Sequence, residues 1–380
     1  MNQPAESPDE LFMQQAIDLA AKGQGRVEPN PMVGCVLARD GEIIGKGFHK
    51  QHGGPHAEIE ALRSLRSVSA IGATAYVSLE PCCHHGKTPP CTDSLIESGV
   101  KRVVLAMKDP FPKVSGGGIE QLRRAGIEVV CDVLRDQAAE LNAPYLKLVN
   151  TGKPWVIAKW AMSVDGKIAT HTGESQWITN AESRVDVHRT RSRVDGILTG
   201  MGTVRSDNPM LTARLPIEIG MPHRIAQRII LCSSSVPDAS TQLMESARSI
   251  PVQIIAGAKI RDEDLRASKD LGATCTQVRE FSSSDLITAA LRELGKQGMT
   301  NILLEAGGNL LGGFADAGEI DEYHVYIGPI RLGNQHAPGP LGGVGIDKIR
   351  DAPRLQLHRT DCFGEDIKIV YRKSAESNKR

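Results

Sequence analysis

The sequence predicts two α/β domains in tandem. Three observations carry this. Strand-like and helix-like segments alternate along the whole chain, the rhythm starts afresh after Thr151-Gly-Lys-Pro154, and 380 residues exceed what one compact domain ordinarily holds. We take residues 1–150 as the first domain and 151–380 as the second.

Residues 1–9 read as a loose tail. Leu11, Ala16, Leu19 and Ala20 recur at helical spacing, and Gly23 ends that helix. Val33 to Leu37 reads as a strand, Asp40-Gly41 as a hairpin turn, and Glu42 to Phe48 as the returning strand. A helix is predicted from about Ala57 to Leu65 and a strand from Ala73 to Leu79. Glu80 to Cys91 is a loop rich in Pro, His and Cys, and Thr92 to Ser98 a helix stopped by Gly99. Val103 to Ala106 (strand), Ile119 to Ala125 (helix) and Ile127 to Val130 (strand) complete a layered domain whose sheet is expected to be largely parallel. In the second domain, strands are expected at Trp155 to Lys159, Gly196 to Thr199, Arg228 to Leu231, Val252 to Ala256, Asn301 to Glu305 and Glu322 to Ile327. Helices are expected near Glu182 to Arg191 and Leu286 to Lys296.

The 45 basic and 45 acidic residues cancel, so no whole-protein field draws the chain to nucleic acid or membrane. An aromatic content of 4% also speaks against base stacking. The N-terminal segment carries Asp9 and Glu10 and no apolar run, which suggests neither a secretory signal nor a membrane span. A cytoplasmic protein is expected, whose eight cysteines are thiols or metal ligands rather than disulfides.

His56, Cys82 and Cys91 are three good zinc ligands, and three protein ligands leave a fourth position open for water. Hydrolysis at a carbon bearing an exocyclic amine also needs a proton carrier that does not bind the metal, and Glu58 is the candidate. Residues two apart on a helix diverge by about 200°, so His56 and Glu58 belong at a helix start, after the Gly53-Gly54-Pro55 turn. His-x-Glu followed by Pro-Cys is the general pattern of zinc deaminases of nucleobases. Here the second half departs from it, because eight residues separate Cys82 from Cys91 and the insert is basic. A structural zinc site would need a fourth ligand, which Cys83, His84 or His85 could supply; Cys35, Cys131, Cys232, Cys275 and Cys362 read as core thiols. In the second domain Gly200-Met-Gly202 lacks the third glycine of a dinucleotide fingerprint. Leu303 to Leu310 runs from a strand through a Gly-rich turn into a helix, where backbone amides could hold a phosphate or merely form a turn.

Pro29-Asn-Pro-Met-Val-Gly34, His56-Ala-Glu58 and Glu80-Pro-Cys-Cys-His-His-Gly-Lys-Thr-Pro-Pro-Cys91 resemble the bifunctional deaminase–reductase family of riboflavin biosynthesis. So do Lys159-Trp-Ala-Met-Ser-Val-Asp-Gly-Lys167, Gly173 to Thr179, Asp207 to Arg214 and Glu305-Ala-Gly-Gly308, in the same order over residues 10–375. Cys83 stands where that family usually has Ser, and Cys232 where it generally has Asp.

The resemblance implies a cytidine-deaminase-like three-layer α/β/α domain followed by a dihydrofolate-reductase-like α/β domain. It implies hydrolytic deamination of 2,5-diamino-6-(5-phosphoribosylamino)pyrimidin-4(3H)-one with one Zn2+, then NADPH-dependent reduction of the ribosyl group. It places Asn30, His49, His84 and Lys87 near the first substrate. Lys87 suits either a phosphate or solvent, and Asn30 also suits a turn before Pro31. Ala161, Trp177, Thr203, Asp207, Ser233 and the turn of Gly307, Gly308, Asn309, Leu310, Leu311, Gly312 and Gly313 should meet NADPH. Ser175, Arg191, Leu211, Arg214 and Glu305 should meet the second substrate, with Arg191 and Arg214 as a clamp on its phosphate. Lys159 is either a catalytic group at the opened ribose carbonyl or a strand lysine reaching solvent. The partners implied are a pyrimidine ribotide and further copies of this chain, as a dimer or tetramer through the second domain.

Overall fold

The computed structural model describes residues 7–84, 89–112, 114–219, 224–278 and 282–374. Lys87, and residues 1–6 of the expected tail, lie outside them. The chain divides into two compact units, Met1–Gly152 and Lys153–Arg380.

The first unit runs α1 (Pro8–Ala21), β1 (Gly34–Arg39), β2 (Glu42–Phe48), α2 (Ala57–Ser64), β3 (Thr74–Val77), α3 (Cys91–Glu97), β4 (Arg102–Leu105), α4 (Gly117–Arg124), β5 (Glu128–Val130), α5 (Arg135–Leu141) and α6 (Ala143–Thr151). The expected tail is shorter than 1–9, because Ser7 and Glu10 close a capping box that starts α1 at Pro8. Asp40 and Gly41 both take positive φ, the geometry that a two-residue hairpin turn demands.

The sheet order is β2-β1-β3-β4-β5. Only β3, β4 and β5 are parallel; β1 runs antiparallel to both of its neighbours, so the expected parallel character covers half of the sheet. Period-two side chains then serve two faces. Cys35 and Leu37 pack with Ala57, Ala61, Leu95 and Leu122 of α2, α3 and α4, whereas Val36 and Ala38 pack with Met13, Ala16 and Ala138 of α1 and α5. That makes three layers. Gly47 allows α2 to lie directly on β2, since a Cβ there would sit 2.3 Å from Ala61 N.

The second unit runs β6 (Trp155–Ser163), α7 (Ala181–Arg191), β7 (Gly196–Gly200), α8 (Met201–Asp207), β8 (Gln227–Cys232), α9 (Gln242–Glu245), β9 (Val252–Ala256), α10 (Asp262–Asp270), β10 (Thr274–Gln277), α11 (Ser283–Lys296), β11 (Asn301–Leu304), α12 (Gly308–Asp316), β12 (Glu322–Gly328), β13 (Leu355–Phe363) and β14 (Asp366–Lys373). Its sheet order is β10-β9-β8-β7-β11-β6-β12-β14-β13. The strands from β10 to β12 are parallel, and the β13–β14 hairpin adds an antiparallel edge. One face buries Val156, Leu198, Ile229 and Leu304 under α11 and α12, and the other buries Ile197, Ile230, Ile254 and Leu303 under α9 and α10. The carboxyl ends of β8, β7, β11 and β6 meet where the strand order reverses, the usual place for a ligand crevice in an open parallel sheet.

Among the described residues, no helix is long and apolar enough to cross a membrane.

Candidate active sites

In the first unit, three elements converge on His56. That residue is the N-cap of α2, with extended backbone and no side-chain cap bond, so its imidazole is free to turn away from its own helix. Cys91 opens α3, and Cys82 ends the segment that leaves β3. The His56 Nδ1 lies 3.5 Å from Cys82 Sγ and 3.3 Å from Cys91 Sγ, and the Cys91 N–H donates to Cys82 Sγ at 3.3 Å. One ligand atom from each residue falls within 4.8 Å of the others. One imidazole and two thiols at that spacing fit zinc, with a position left over. Cys82 is pulled down to about 4, first by the Cys91 thiol that hydrogen-bonds to it and then, against burial, by His56, while Cys91 is pushed up. A thiolate beside an imidazole is the state that a metal selects.

Glu58, in the first turn of α2, is 3% exposed. Burial, and next the Cys82 thiolate, raise its carboxyl to about 7, the range in which a carboxyl both takes and gives a proton at neutral pH. His49 and Asn30 lie alongside. The His49 ring meets the His56 ring edge-on with centroids 5.4 Å apart. Its Nδ1 lies 2.9 Å from Pro55 O, which fixes the proton there and leaves Nε2 to accept from Asn30 Nδ2 at 3.2 Å. Burial holds this imidazole below its usual range, and hence neutral. His84 is exposed, and Asp109, whose carboxyl is raised by burial, accepts from the Tyr145 hydroxyl at 2.9 Å.

Glu80 opens the motif that ends at Cys91, and its role is visible only in the fold. Its two buried oxygens accept four backbone N–H groups, from Asp109, Gly116, Gly118 and Ile119, at 3.0–3.2 Å. The segment carrying Cys82 is thereby tied to the start of α4. Cys83 lies elsewhere: its Sγ points toward Val114 O at 4.0 Å and stands outside the three-residue cluster.

In the second unit a cleft of about 1080 Å³ opens along those carboxyl ends of the sheet. Its lining gathers Lys159, Ala161, Ser175, Trp177, Thr203, Asp207, Ser233, Glu305, Gly307, Gly308, Asn309, Leu310 and Gly313, all anticipated from the sequence. Gly200 forms part of its floor, where a Cβ would stand 2.9 Å from Leu310 Cδ2. The Gly307 N–H donates to Thr203 Oγ1 at 3.1 Å, joining the turn before α12 to α8. Such a turn, with glycine at the helix cap, suits the phosphates of a dinucleotide.

Two anticipated turn residues point away. Leu311 is fully buried in the core under α12, and a Cβ on Gly312 would meet Gly342 O at 2.1 Å, so both serve packing rather than the cleft. Arg191, Leu211 and Arg214 also lie outside its lining. Arg191 is held by Glu305, with Nε on Oε1 at 2.6 Å and Nη2 on Oε2 at 2.9 Å, and its Nη1 donates to Thr212 O at 3.1 Å. Three of its five N–H groups are thus used within the unit, whereas Arg214 is exposed. Leu211 is 3% exposed and packs in the core. Arg214 is placed by His188, whose Nδ1 accepts the Arg214 backbone N–H at 3.2 Å.

Lys159 Nζ stands 3.9 Å from Glu305 Oε2, and burial lowers its pKa. Burial alone would raise Glu305, but Arg191 and then Lys159 outweigh it and bring the carboxyl to about 2. The site therefore holds a fixed carboxylate beside an ammonium that gives up its proton more readily than usual. Sequence reasoning missed His188, Arg184 and the Pro338-to-Gly342 segment that completes the cleft wall. The Gly- and Pro-rich run from Pro338 to Gly343 was the available signal for the last.

Comparison with known proteins finds a match for each unit. The profile of the RibD C-terminal domain family matches residues 154–369, and that of the cytidine and deoxycytidylate deaminase zinc-binding region matches residues 6–107. The riboflavin biosynthesis protein RibD of Haemophilus influenzae is 41% identical over 373 residues, covering 96% of this chain and 97% of that one. The crystal structure of Acinetobacter baumannii RibD, form 1, superposes with a TM-score of 0.86 at 36% identity, covering 97% of this chain and 99% of that one. A Thermotoga maritima structure described as a diaminohydroxyphosphoribosylaminopyrimidine deaminase/5-amino-6-(5-phosphoribosylamino)uracil reductase gives a TM-score of 0.83 at 34% identity, with the same coverage. The chain belongs to the RibD family of riboflavin biosynthesis, bifunctional enzymes that join a zinc-binding deaminase unit to an NADPH-dependent reductase unit.

Proposed function

We propose that the first unit deaminates 2,5-diamino-6-(5-phosphoribosylamino)pyrimidin-4(3H)-one and that the second reduces the ribosyl group of 5-amino-6-(5-phosphoribosylamino)uracil to the ribitylamino product. The observation that carries this is a buried carboxylate, Glu58, set beside a three-donor cluster of His56, Cys82 and Cys91. The three donors would hold zinc, which when bound supplies a Lewis acid for the attacking water. Glu58 takes one proton of that water and passes it to the ring nitrogen, then carries the second, from the hydroxyl now on the carbon, to the amine that departs as ammonia. Asn30 and the neutral His49 hold the pyrimidine, with His84 and Lys87 toward the phosphate.

In the second unit Ala161, Trp177, Thr203, Asp207, Ser233 and the turn from Gly307 hold NADPH, which supplies hydride to the ribose C1′. Opening of the C1′–O4′ bond leaves a C1′=N imine, which takes the hydride at C1′ while Lys159 protonates its nitrogen, and Glu305 and Ser175 orient the ribose chain. Arg214 takes the phosphate, and Arg191 acts through Glu305. Eight free cysteines suit a cytoplasmic setting. The assembly proposed is a homodimer or homotetramer through the second unit, which light scattering tests.

The test incubates the chain with the diamino-pyrimidine ribotide, with and without NADPH, following ammonia and NADPH absorbance separately. Ammonia should appear in both cases, and NADPH oxidation should follow it. NADPH oxidation without ammonia, or neither signal, would sink the reading.

A further inference from the structure

The cleft of the second unit carries three cations in its lining, and two of them are engaged. Lys159 faces Glu305 at 3.9 Å. Arg184 lies over the Trp177 ring at 4.3 Å and donates to Thr179 O at 2.7 Å. Arg205, in the last turn of α8, is exposed and has no carboxylate partner among the described residues. Its guanidinium instead donates to the Ser235 hydroxyl. Ser233 and Ser234 line the same corner, so three hydroxyls and one guanidinium gather just past the end of β8.

Position in the sheet says which part of a ligand arrives there. Lys159 lies on β6 and Ser233 just beyond β8, three strand spacings away across β11 and β7. At about 4.8 Å per spacing this is roughly 14 Å. A dinucleotide whose reacting ring lies at Lys159 and Glu305, and whose phosphates lie at the turn before α12, therefore brings its adenosine end to Arg205. A ribose diol is recognised by an acceptor, commonly a carboxylate. A phosphate monoester is recognised by a guanidinium fork and hydroxyl donors. We infer that Arg205, with Ser233, Ser234 and Ser235, reads the adenosine 2′-phosphate and sets the preference for NADPH over NADH. This rests on the reading of the cleft as a dinucleotide site.

The test uses the full chain, as wild type and as Arg205→Ala, titrated calorimetrically with adenosine 2′,5′-bisphosphate and with 5′-AMP. Arg205 is exposed, so its loss should leave the fold intact. Loss of a charge-assisted bidentate contact should weaken bisphosphate binding about tenfold or more while moving 5′-AMP little, and the kcat/KM ratio of NADPH over NADH should fall by a similar factor. Equal weakening of both probes, or an unchanged bisphosphate affinity, would overturn the role of Arg205 alone. A wild-type chain that binds neither probe would overturn the dinucleotide reading itself, and this inference with it.

Discussion

Arg191 grips Glu305 with both arms of its guanidinium, at 2.6 and 2.9 Å, in a setting where neither side chain is more than 13% exposed. The arginine expected to hold a phosphate thus also aims a carboxylate. Removing one member of a buried pair strands the other, at a cost of about 3–5 kcal/mol. We expect Arg191→Ala to lower the melting temperature by an amount on the order of 10 °C. Hydride transfer should slow sharply, with little change in NADPH affinity. The double variant Arg191→Ala, Glu305→Ala should be less destabilised than the sum of the single changes. Additive losses in thermal unfolding would show that the two do not act as a unit.

Arg214 carries the complementary expectation. It is exposed and its side chain makes no ion pair among the described residues, so Arg214→Ala should leave the melting temperature nearly unchanged. If it holds the phosphate, the substrate KM of the reductase should rise about tenfold or more while the NADPH KM does not. An unmoved substrate KM in steady-state kinetics would end that assignment.

Much of this arrangement could be read from the sequence, and the exceptions have physical causes. The metal site was legible because zinc demands particular side chains, and His56, Cys82 and Cys91 announce themselves by type. The β1–β2 hairpin was legible because Asp40-Gly41 takes a backbone geometry that few residue pairs tolerate. The roles of Arg191 and Glu80 were not, since each depends on a partner more than 25 residues away that only the fold brings near. Strands β10 and β13 were missed because they lack a buried face to impose alternation, β13 being exposed along most of its length, and β14 because two of its inward residues, Asp366 and Lys368, are charged while Ile367 is exposed. Helix α6 likewise buries no residue fully, so its apolar spacing is weak.

His188 should make the second unit sensitive to mild acid. Burial, and next Arg191 and Arg214, hold its imidazole near 4 against an ordinary 6.5. A depressed folded value means that the fold favours the neutral ring, whose Nδ1 accepts the Arg214 N–H. The stability it contributes is therefore full above about 6.5 and is lost as pH falls toward about 4. His188→Asn keeps an acceptor at the Nδ1 position without the titration. Denaturant unfolding between pH 7 and pH 4 should show a steeper loss for wild type than for the variant, and equal slopes would refute the link.

Glu80 offers a test of how the metal ligands are held. Its carboxylate satisfies four backbone N–H groups between Asp109 and Ile119. In Glu80→Gln one oxygen becomes a donor and confronts two of those N–H groups, at a cost of roughly 3 kcal/mol. Because the same segment carries Cys82, zinc affinity should fall about tenfold or more, as for partners that orient ligands in other sites. Competition with a chromophoric chelator measures it. The reductase rate with deaminated substrate serves as the control and should hold. Unchanged zinc affinity would make Glu80 a purely structural residue.

Which thiolates take the metal is decided by comparing neighbours. Cys82 and Cys91 both approach His56 Nδ1 within 3.5 Å, whereas Cys83 turns toward Val114 O. Cys82→Ser and Cys91→Ser should each abolish tight zinc binding and ammonia release, because a hydroxyl is a poor ligand beside a lone thiolate. Cys83→Ser should bind one zinc and release ammonia at the wild-type rate. Glu58→Gln separates holding from chemistry: metal content by atomic emission should stay at one per chain while ammonia release falls by 10² or more, on the order of what general acid–base catalysis provides. Dialysis against a strong chelator should mimic the Cys82 variant and spare NADPH oxidation of deaminated substrate. Zinc retained in Cys82→Ser but lost in Cys83→Ser would reverse the ligand assignment.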